Sequence, residues 1–334
     1  MEAKIEQKIK LLEEKYAQMG QDLDSYLDGL LLSNYLTYWD YTQVETLLTL
    51  QNPKTDFPDE QIFIMYHQIT ELYFKLSLHE FEQIANNGPN ILPNGQNLGW
   101  KDKLDVKFFI ERVMRINRYF EALTKSFEIM IDGMEKEQFL RYRMALLPAS
   151  GFQSAQYRMI EISATDFINL VDKDVRPNYK GKNAPVEELF QHIYWNKGAT
   201  ELATGKKTLT LKQFEKKYSA KFIALANEYK TKNLWIKYKA LPEADQKNQN
   251  LINALKQLDV NVNINWPLVH YKSAVRYLQA NTEDIAATGG TNWQKYLPPR
   301  FQKRIFYPEL WTPQEFEDWG KGWVETNVFH IKKD

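Results

Sequence analysis

Helical periodicity runs through most of the chain. Between residues 3 and 19, Ile5, Ile9, Leu12 and Tyr16 recur at helical spacing among charges, which predicts an amphipathic helix. Residues 21–50 continue the pattern through Leu23, Tyr26, Leu30 and Leu31 and reach the aromatic run Tyr35-Leu-Thr-Tyr38-Trp-Asp-Tyr41. Asn52-Pro53 to Pro58 is a break. A long helix is predicted from about Asp59 to about Ala85, because proline suits a first turn and Asp59-Glu60 suit the positive end of a helix. Asn86 to Gly99, rich in Asn, Gly and Pro, reads as a loop. The next long helix covers 103–133, with Val106, Phe109, Ile110, Val113, Ile116, Tyr119, Phe120 and Leu123 on its apolar side.

A shorter helix at about 135–146 stops at Pro148, Ser150-Gly151 turns the chain, and a further helix fills about 153–172. The pattern then changes. Residues 174–262 are rich in Lys, Asn, Glu and Gly, with helices expected near 185–195, 211–230 and 245–258. Asn263-Ile-Asn265 before Trp266-Pro267 offers a cap for a helix to about Gln279. The prolines at 298, 299, 308 and 313 leave the tail irregular until about 314–321. Alternating strand patterns are scarce. The expected fold is all-α: one domain over 1–334, a bundle of long helices with an N-terminal helical arm (1–34) and an inserted polar helical region (174–262).

Composition narrows the chemistry. The 334 residues are 43% hydrophobic, and 9 Trp, 19 Tyr and 18 Phe supply wide, flat side chains for a core. Lys+Arg and Asp+Glu both total 43, so there is no global field for nucleic acid or an anionic membrane. The absence of cysteine excludes disulfides, thiolate-ligated haem, iron–sulfur clusters and Cys-type zinc sites. The first ten residues are charged throughout and lack the apolar core of a signal peptide, and no run approaches the roughly 18 apolar residues of a membrane span. A soluble, cytoplasmic protein is expected.

Five histidines remain: His67, His79, His192, His270 and His330. Phe63, His67, Glu71 and Phe74 share one helix face. An imidazole on that stripe is either capped by a core hydrogen bond or faces a cavity. His270 follows Trp266 by one helical turn, in a helix whose Tyr271, Ala274, Val275 and Leu278 make it largely buried. It is either a satisfied core histidine or a proximal haem ligand, with one nitrogen on iron and the other held by an acceptor. The positions three before each histidine are Ile64, Leu76, Leu189, Pro267 and Asn327, so the Glu-x-x-His motif of a di-iron bundle is absent, as is His-Glu-x-x-His. Gly289-Gly290 is either a flexible turn or, with Thr288, a loop wrapping a small charged ligand. Arg143 is either a surface guanidinium or a fork for a carboxylate.

Taken together, these segments resemble the tryptophan 2,3-dioxygenase family. Phe-Ile-x-x-His-Gln-x-x-Glu-Leu-x-Phe-Lys stands at Phe63 to Lys75, and Pro-x-Ser-Gly-Phe-Gln-Ser-x-Gln-Tyr-Arg-x-Ile-Glu at Pro148 to Glu161. Trp-x-x-x-His at Trp266 to His270 and Thr-Gly-Gly at Thr288 to Gly290 follow in order. The resemblance runs from about Tyr35 to Glu161 and from about Trp266 to Leu310. It implies a haem b enzyme that opens the indole ring of L-tryptophan with O2 to give N-formylkynurenine, the first step of the kynurenine pathway. It implies His270 as the iron ligand, with Trp266, Gly289 and Gly290 about the cofactor. His67 would accept the indole N–H, Phe63 and Phe139 would wall the indole, and Arg143 and Thr288 would hold the carboxylate and ammonium groups. Tyr38 and Tyr41 would enter a neighbouring subunit's pocket in a homotetramer.

The sequence departs from the family in places. Phe139 stands where some members carry Tyr, Thr42 where Leu is common, and Ala287-Thr-Gly-Gly-Thr-Asn-Trp where Gly-Thr-Gly-Gly-Ser-Ser-Gly is more usual. The competing readings are a haem enzyme of the same superfamily that oxidises another aromatic amino acid, and a non-enzymatic helical interaction protein.

Overall fold

Two prolines and a turn of negative charge set the start of the longest helix. The computed structural model describes residues 2–179, 181–200, 204, 206–278 and 298–321. Contacts divide the chain into two compact units, Met1–Asn52 and Pro53–Asp334. The first contains α1 (Glu2–Gln18), α2 (Leu23–Leu32), α3 (Tyr38–Thr42) and α4 (Val44–Leu47). Side chains cap two of these helices: Asp22 accepts from Asp24 and Ser25 N–H, and Thr37 from Asp40 N–H.

The second unit opens with α5 (Asp59–Ala85). The Glu60 carboxylate accepts N–H bonds from Lys54 and Thr55 at 2.7 and 2.8 Å, folding the Pro53–Pro58 segment back on the start of the helix. Tyr66, Phe74, Phe81 and Ile84 make its inner face and are all buried. A short hairpin follows, β1 (Pro89–Ile91) antiparallel to β2 (Asn97–Trp100), where the sequence predicts a plain loop. Its strands are too short and too exposed for a period-two pattern to show.

Asp105 accepts from Phe108 N–H at 2.9 Å and starts α6 (Val106–Ser126). Phe109, Val113, Ile116, Phe120 and Leu123 recur at four and three residues and are fully buried against α5. The helix is shorter than the predicted 103–133, because α7 (Glu128–Ile131) is a separate turn. Next come α8 (Lys136–Tyr142), continued by a 3-10 turn Arg143–Leu146, and α9 (Ala155–Ala164), capped by Ser154. Helices α10 (Val186–Phe190), α11 (Leu209–Tyr229), α12 (Leu234–Lys239), α13 (Glu243–Gln246) and α14 (Gln249–Val260) follow. Despite its polar composition, this stretch sends Phe190, Trp195, Phe214, Phe222, Trp235, Leu255 and Leu258 into the same core as α5 and α6.

The predicted cap at Asn263–Asn265 is absent. Helix α14 runs through a π-helical turn, Asn261–Asn265, directly into α15 (Trp266–Leu278). The asparagines point sideways instead of capping. Asn261 Nδ2 donates to Asn117 Oδ1 at 3.1 Å, Asn265 Nδ2 to Asn261 Oδ1 at 3.0 Å, and Asn263 Nδ2 to Asp259 Oδ1 at 2.6 Å. Beyond the undescribed stretch, residues 304–311 lie along this long helix. Asp259 holds them by accepting from Phe306 N, Tyr307 N and Trp311 Nε1 at 2.9–3.1 Å. The described part of the second unit is thus a helical bundle with one two-stranded hairpin.

Candidate haem and amino-acid site

Phe63 and His67 lie one turn apart on α5, with ring centroids 4.2 Å apart. Phe139, from α8, stands 6.3 Å from Phe63 and 4.7 Å from Tyr277 of α15. Tyr142 closes the group at 6.1 Å from Phe63 and 5.7 Å from Phe139. Three helices therefore contribute to one aromatic wall. Arg143 follows Phe139 by one turn and is buried. Burial lowers its pKa, so its charge sits where water screens little.

On α15 the Trp266 and His270 rings are 4.4 Å apart at 75°. Phe127 packs against both, at 5.3 Å from Trp266 and 4.4 Å from His270, and Tyr66 of α5 stands 5.6 Å from Phe127. Two aromatic bridges, through Phe127 and through Phe139, thus join α15 to the elements that carry His67.

The two histidines are arranged alike. His67 Nδ1 lies 2.7 Å from the Phe63 carbonyl, and His270 Nδ1 lies 2.7 Å from the Trp266 carbonyl. A carbonyl can only accept, so in both rings Nδ1 carries the proton and Nε2 keeps a lone pair. Desolvation lowers both pKa values, that of His270 to about 4, and His67 adds to the depression at His270. Both imidazoles are therefore neutral, and each lies within electrostatic reach of the other. Each is half-buried among aromatic neighbours. Gly151 faces His67: a Cβ there would stand 3.8 Å from Nε2, so a longer side chain would fill the space before the imidazole.

A haem-binding histidine needs an unprotonated Nε2, a neutral ring and a donor bond that fixes its plane. His270 meets all three, and its flat neighbours Phe127 and Trp266 are apolar rings suited to a porphyrin. Among the described residues no group of three His, Asp or Glu side chains is placed to hold a metal ion by itself.

The structure brings together Phe63, His67 and Phe139 on one side, and Trp266 with His270 on the other. Tyr38 and Tyr41 lie on α3 in the first unit and are exposed. Thr288, Gly289 and Gly290 fall outside the described residues. Phe127, Tyr142 and Tyr277 escaped the sequence reading. Tyr277 follows His270 by two turns, and Tyr142 follows Phe139 by three residues, so helical spacing carried a signal for both. Phe127 carried none.

A family model for tryptophan 2,3-dioxygenase matches residues 30–264. The chain belongs to the tryptophan 2,3-dioxygenase family. Similar curated proteins are the tryptophan 2,3-dioxygenase of Ruegeria sp. strain TM1040, 36% identical over 126 residues, and tryptophan 2,3-dioxygenase 2 of Ralstonia nicotianae, 38% identical over 132. That of Bacillus anthracis is 33% identical over 126 residues. Each match covers 38% of this chain, and the matched segments span 33–40% of those relatives. The tryptophan 2,3-dioxygenase model includes Phe63, His67, Phe139 and Arg143 but ends before Trp266 and His270.

Proposed function

We propose that the chain is a haem b-dependent dioxygenase that opens the indole ring of L-tryptophan with O2 to give N-formylkynurenine, the first step of the kynurenine pathway. The observation that supports this most is the pair of neutral histidines, each with its tautomer set by a backbone carbonyl, packed among aromatic rings and close enough to couple electrostatically. Ferrous haem held through His270 Nε2 would supply the activation of O2.

The chain's own side chains account for binding and orientation. His67 Nε2 has a lone pair and no proton, which suits the indole N–H as donor. Desolvation leaves this imidazole a weak base, so His67 holds the indole N–H in place and does not remove its proton. Phe63 and Phe139 offer ring faces and edges to the indole. Phe139 has no hydroxyl, so it gives the substrate shape and no hydrogen bond. Arg143, buried one turn further on, receives the carboxylate, where a forked ion pair gains from poor screening. Thr288 is assigned to the ammonium group, and Gly289 and Gly290 to the cofactor's surroundings, on the sequence alone.

The enzyme is assigned to the cytoplasm; among the described residues no helix is long and apolar enough to cross a membrane. A homotetramer in which N-terminal segments are shared is supported by the apolar surface of the first unit, where Leu31, Tyr35 and Tyr41 are 84%, 94% and 78% exposed. Tyr38 and Tyr41 would then complete a neighbouring copy's substrate pocket.

The test is product analysis under isotopically labelled O2. Haem-loaded, reduced protein mixed with L-tryptophan should yield a product that has gained two labelled oxygen atoms and absorbs as N-formylkynurenine. A product with one added oxygen would indicate hydroxylation. No product from a haem-loaded protein would sink the reading.

A further inference from the structure

The π-turn before His270 leaves a hydrogen-bonding gap. Trp266 N–H reaches back to the Asn261 carbonyl, five residues earlier. The next residue, Pro267, has no N–H. The helix therefore passes over the Val262 carbonyl, which is buried and needs a donor from elsewhere.

Two side chains from distant elements supply it. The Tyr157 hydroxyl, on α9, donates to Val262 O at 3.0 Å, and Arg304 Nη2 donates to the same carbonyl at 3.3 Å. Arg304 Nη2 also donates to the Tyr157 hydroxyl oxygen at 2.8 Å, which leaves the phenol proton directed at Val262. Arg304 is fixed in turn: Nη1 pairs with Glu161 at 2.5 Å, and Nε donates to Asn263 Oδ1 within the π-turn itself. Glu161 is completed by Tyr194, at 2.6 Å, and by Arg158, at 3.2 Å. Every group in this network is buried. Breaking one bond inside it takes a partner from a buried charge or carbonyl that water cannot replace, which is costly in a low-dielectric interior. The Tyr157 ring also packs against Phe74 at 5.6 Å, and Phe74 stands edge-on to Trp266 at 5.7 Å.

We propose that Tyr157, held by Arg304, is a positioning residue for His270: its hydroxyl takes the place of the backbone N–H that Pro267 lacks, and so fixes the turn whose Trp266 carbonyl orients the imidazole. The bulge shifts the register of α15 relative to α14. The Tyr157–Val262 bond is what closes the helix at that shift. The proposal rests on His270 as the haem ligand.

The test uses the full chain with Tyr157→Phe, which removes only the hydroxyl and keeps the ring, and Tyr157→Phe/Pro267→Ala, which returns a backbone N–H opposite Val262. Pro267→Ala alone is the reference for the double variant. Tyr157→Phe should shift and broaden the iron–imidazole stretching band of the ferrous haem protein and speed haem loss about tenfold, as loss of an outer-shell partner does. In the haem-free chain it should speed hydrogen exchange at the Leu268 to His270 amides. Pro267→Ala should reverse these changes, which it would not do if Tyr157 only filled space. A Tyr157→Phe protein with wild-type band, haem retention and exchange would overturn the proposal, as would an exchange defect that Pro267→Ala fails to correct. If the wild type takes up no haem, or keeps its haem spectrum after His270→Ala, the reading of His270 fails; the exchange measurement on the haem-free chain still decides the Val262 contact.

Discussion

At the residue scale, the proposed function rests specificity on Arg143 and on the space in front of His67. Arg143→Ala should raise the KM for L-tryptophan about a hundredfold, the worth of a buried charged hydrogen bond near 3 kcal/mol. The same substitution should erase the preference for L-tryptophan over tryptamine, which lacks the carboxylate; steady-state kinetics with both compounds checks it. Equal use of the two by the wild type would remove Arg143 from the assignment. Gly151→Leu should fill the volume facing His67 Nε2 and raise KM at least tenfold, about 1.4 kcal/mol, while haem loading stays unchanged. Haem loading lost along with substrate binding would place Gly151 elsewhere in the site. The stripes that carry His67 and His270 were legible because helical spacing places Phe63 and Trp266 one turn before them. The tautomers were not legible, since spacing does not say that each Nδ1 turns back to its own helix's carbonyl.

At the scale of elements, α5 is where sequence and structure agree most closely. Pro58, Asp59 and Glu60 mark its start, and the Asn-Asn-Gly run follows its end at Ala85. The join between α14 and α15 is where they part. Asn263, Asn265 and Pro267 have the residue types of a helix start, yet the chain continues through a π-turn. Asparagine caps a helix only when its side chain is free to fold back on the backbone. Here those side chains are bound to Asn261, Asp259 and Arg304, the last some 41 positions away, and no local pattern reports such a partner. Asn117 is the cross-helix anchor of this join, donating to Ala254 O at 2.9 Å and accepting from Asn261. Asn117→Leu should destabilise the chain by about 2 kcal/mol, because it strands the buried Asn261 amide. Urea unfolding measures it, and an unchanged midpoint would show that the asparagine links add nothing.

At the scale of the whole molecule, the core is unusually phenolic, and that sets its behaviour in alkali. Burial pushes the Tyr66, Tyr157 and Tyr229 hydroxyls from 10.0 up to about 12. Between those values the unfolded chain ionises and the folded chain does not, so stability is intact below pH 10 and falls as pH rises towards 12. Each of the three phenols adds to that loss across the same window. Circular dichroism against pH should show cooperative unfolding that begins above pH 10, shifted upwards in Tyr66→Phe; a fold intact at pH 12 would contradict it. The proposed homotetramer uses the exposed apolar surface of α2 and α3, so Leu31→Glu should lower the mass seen in sedimentation, whereas an unchanged mass would separate those residues from the interface. The proposed chemistry is organised around one coordination bond, from His270 to the haem iron. The most direct measurement is the absorption spectrum of the reduced, haem-reconstituted protein beside that of His270→Ala. A five-coordinate, histidine-ligated haem in the first and its loss in the second is the predicted result. The same spectrum in both would contradict it.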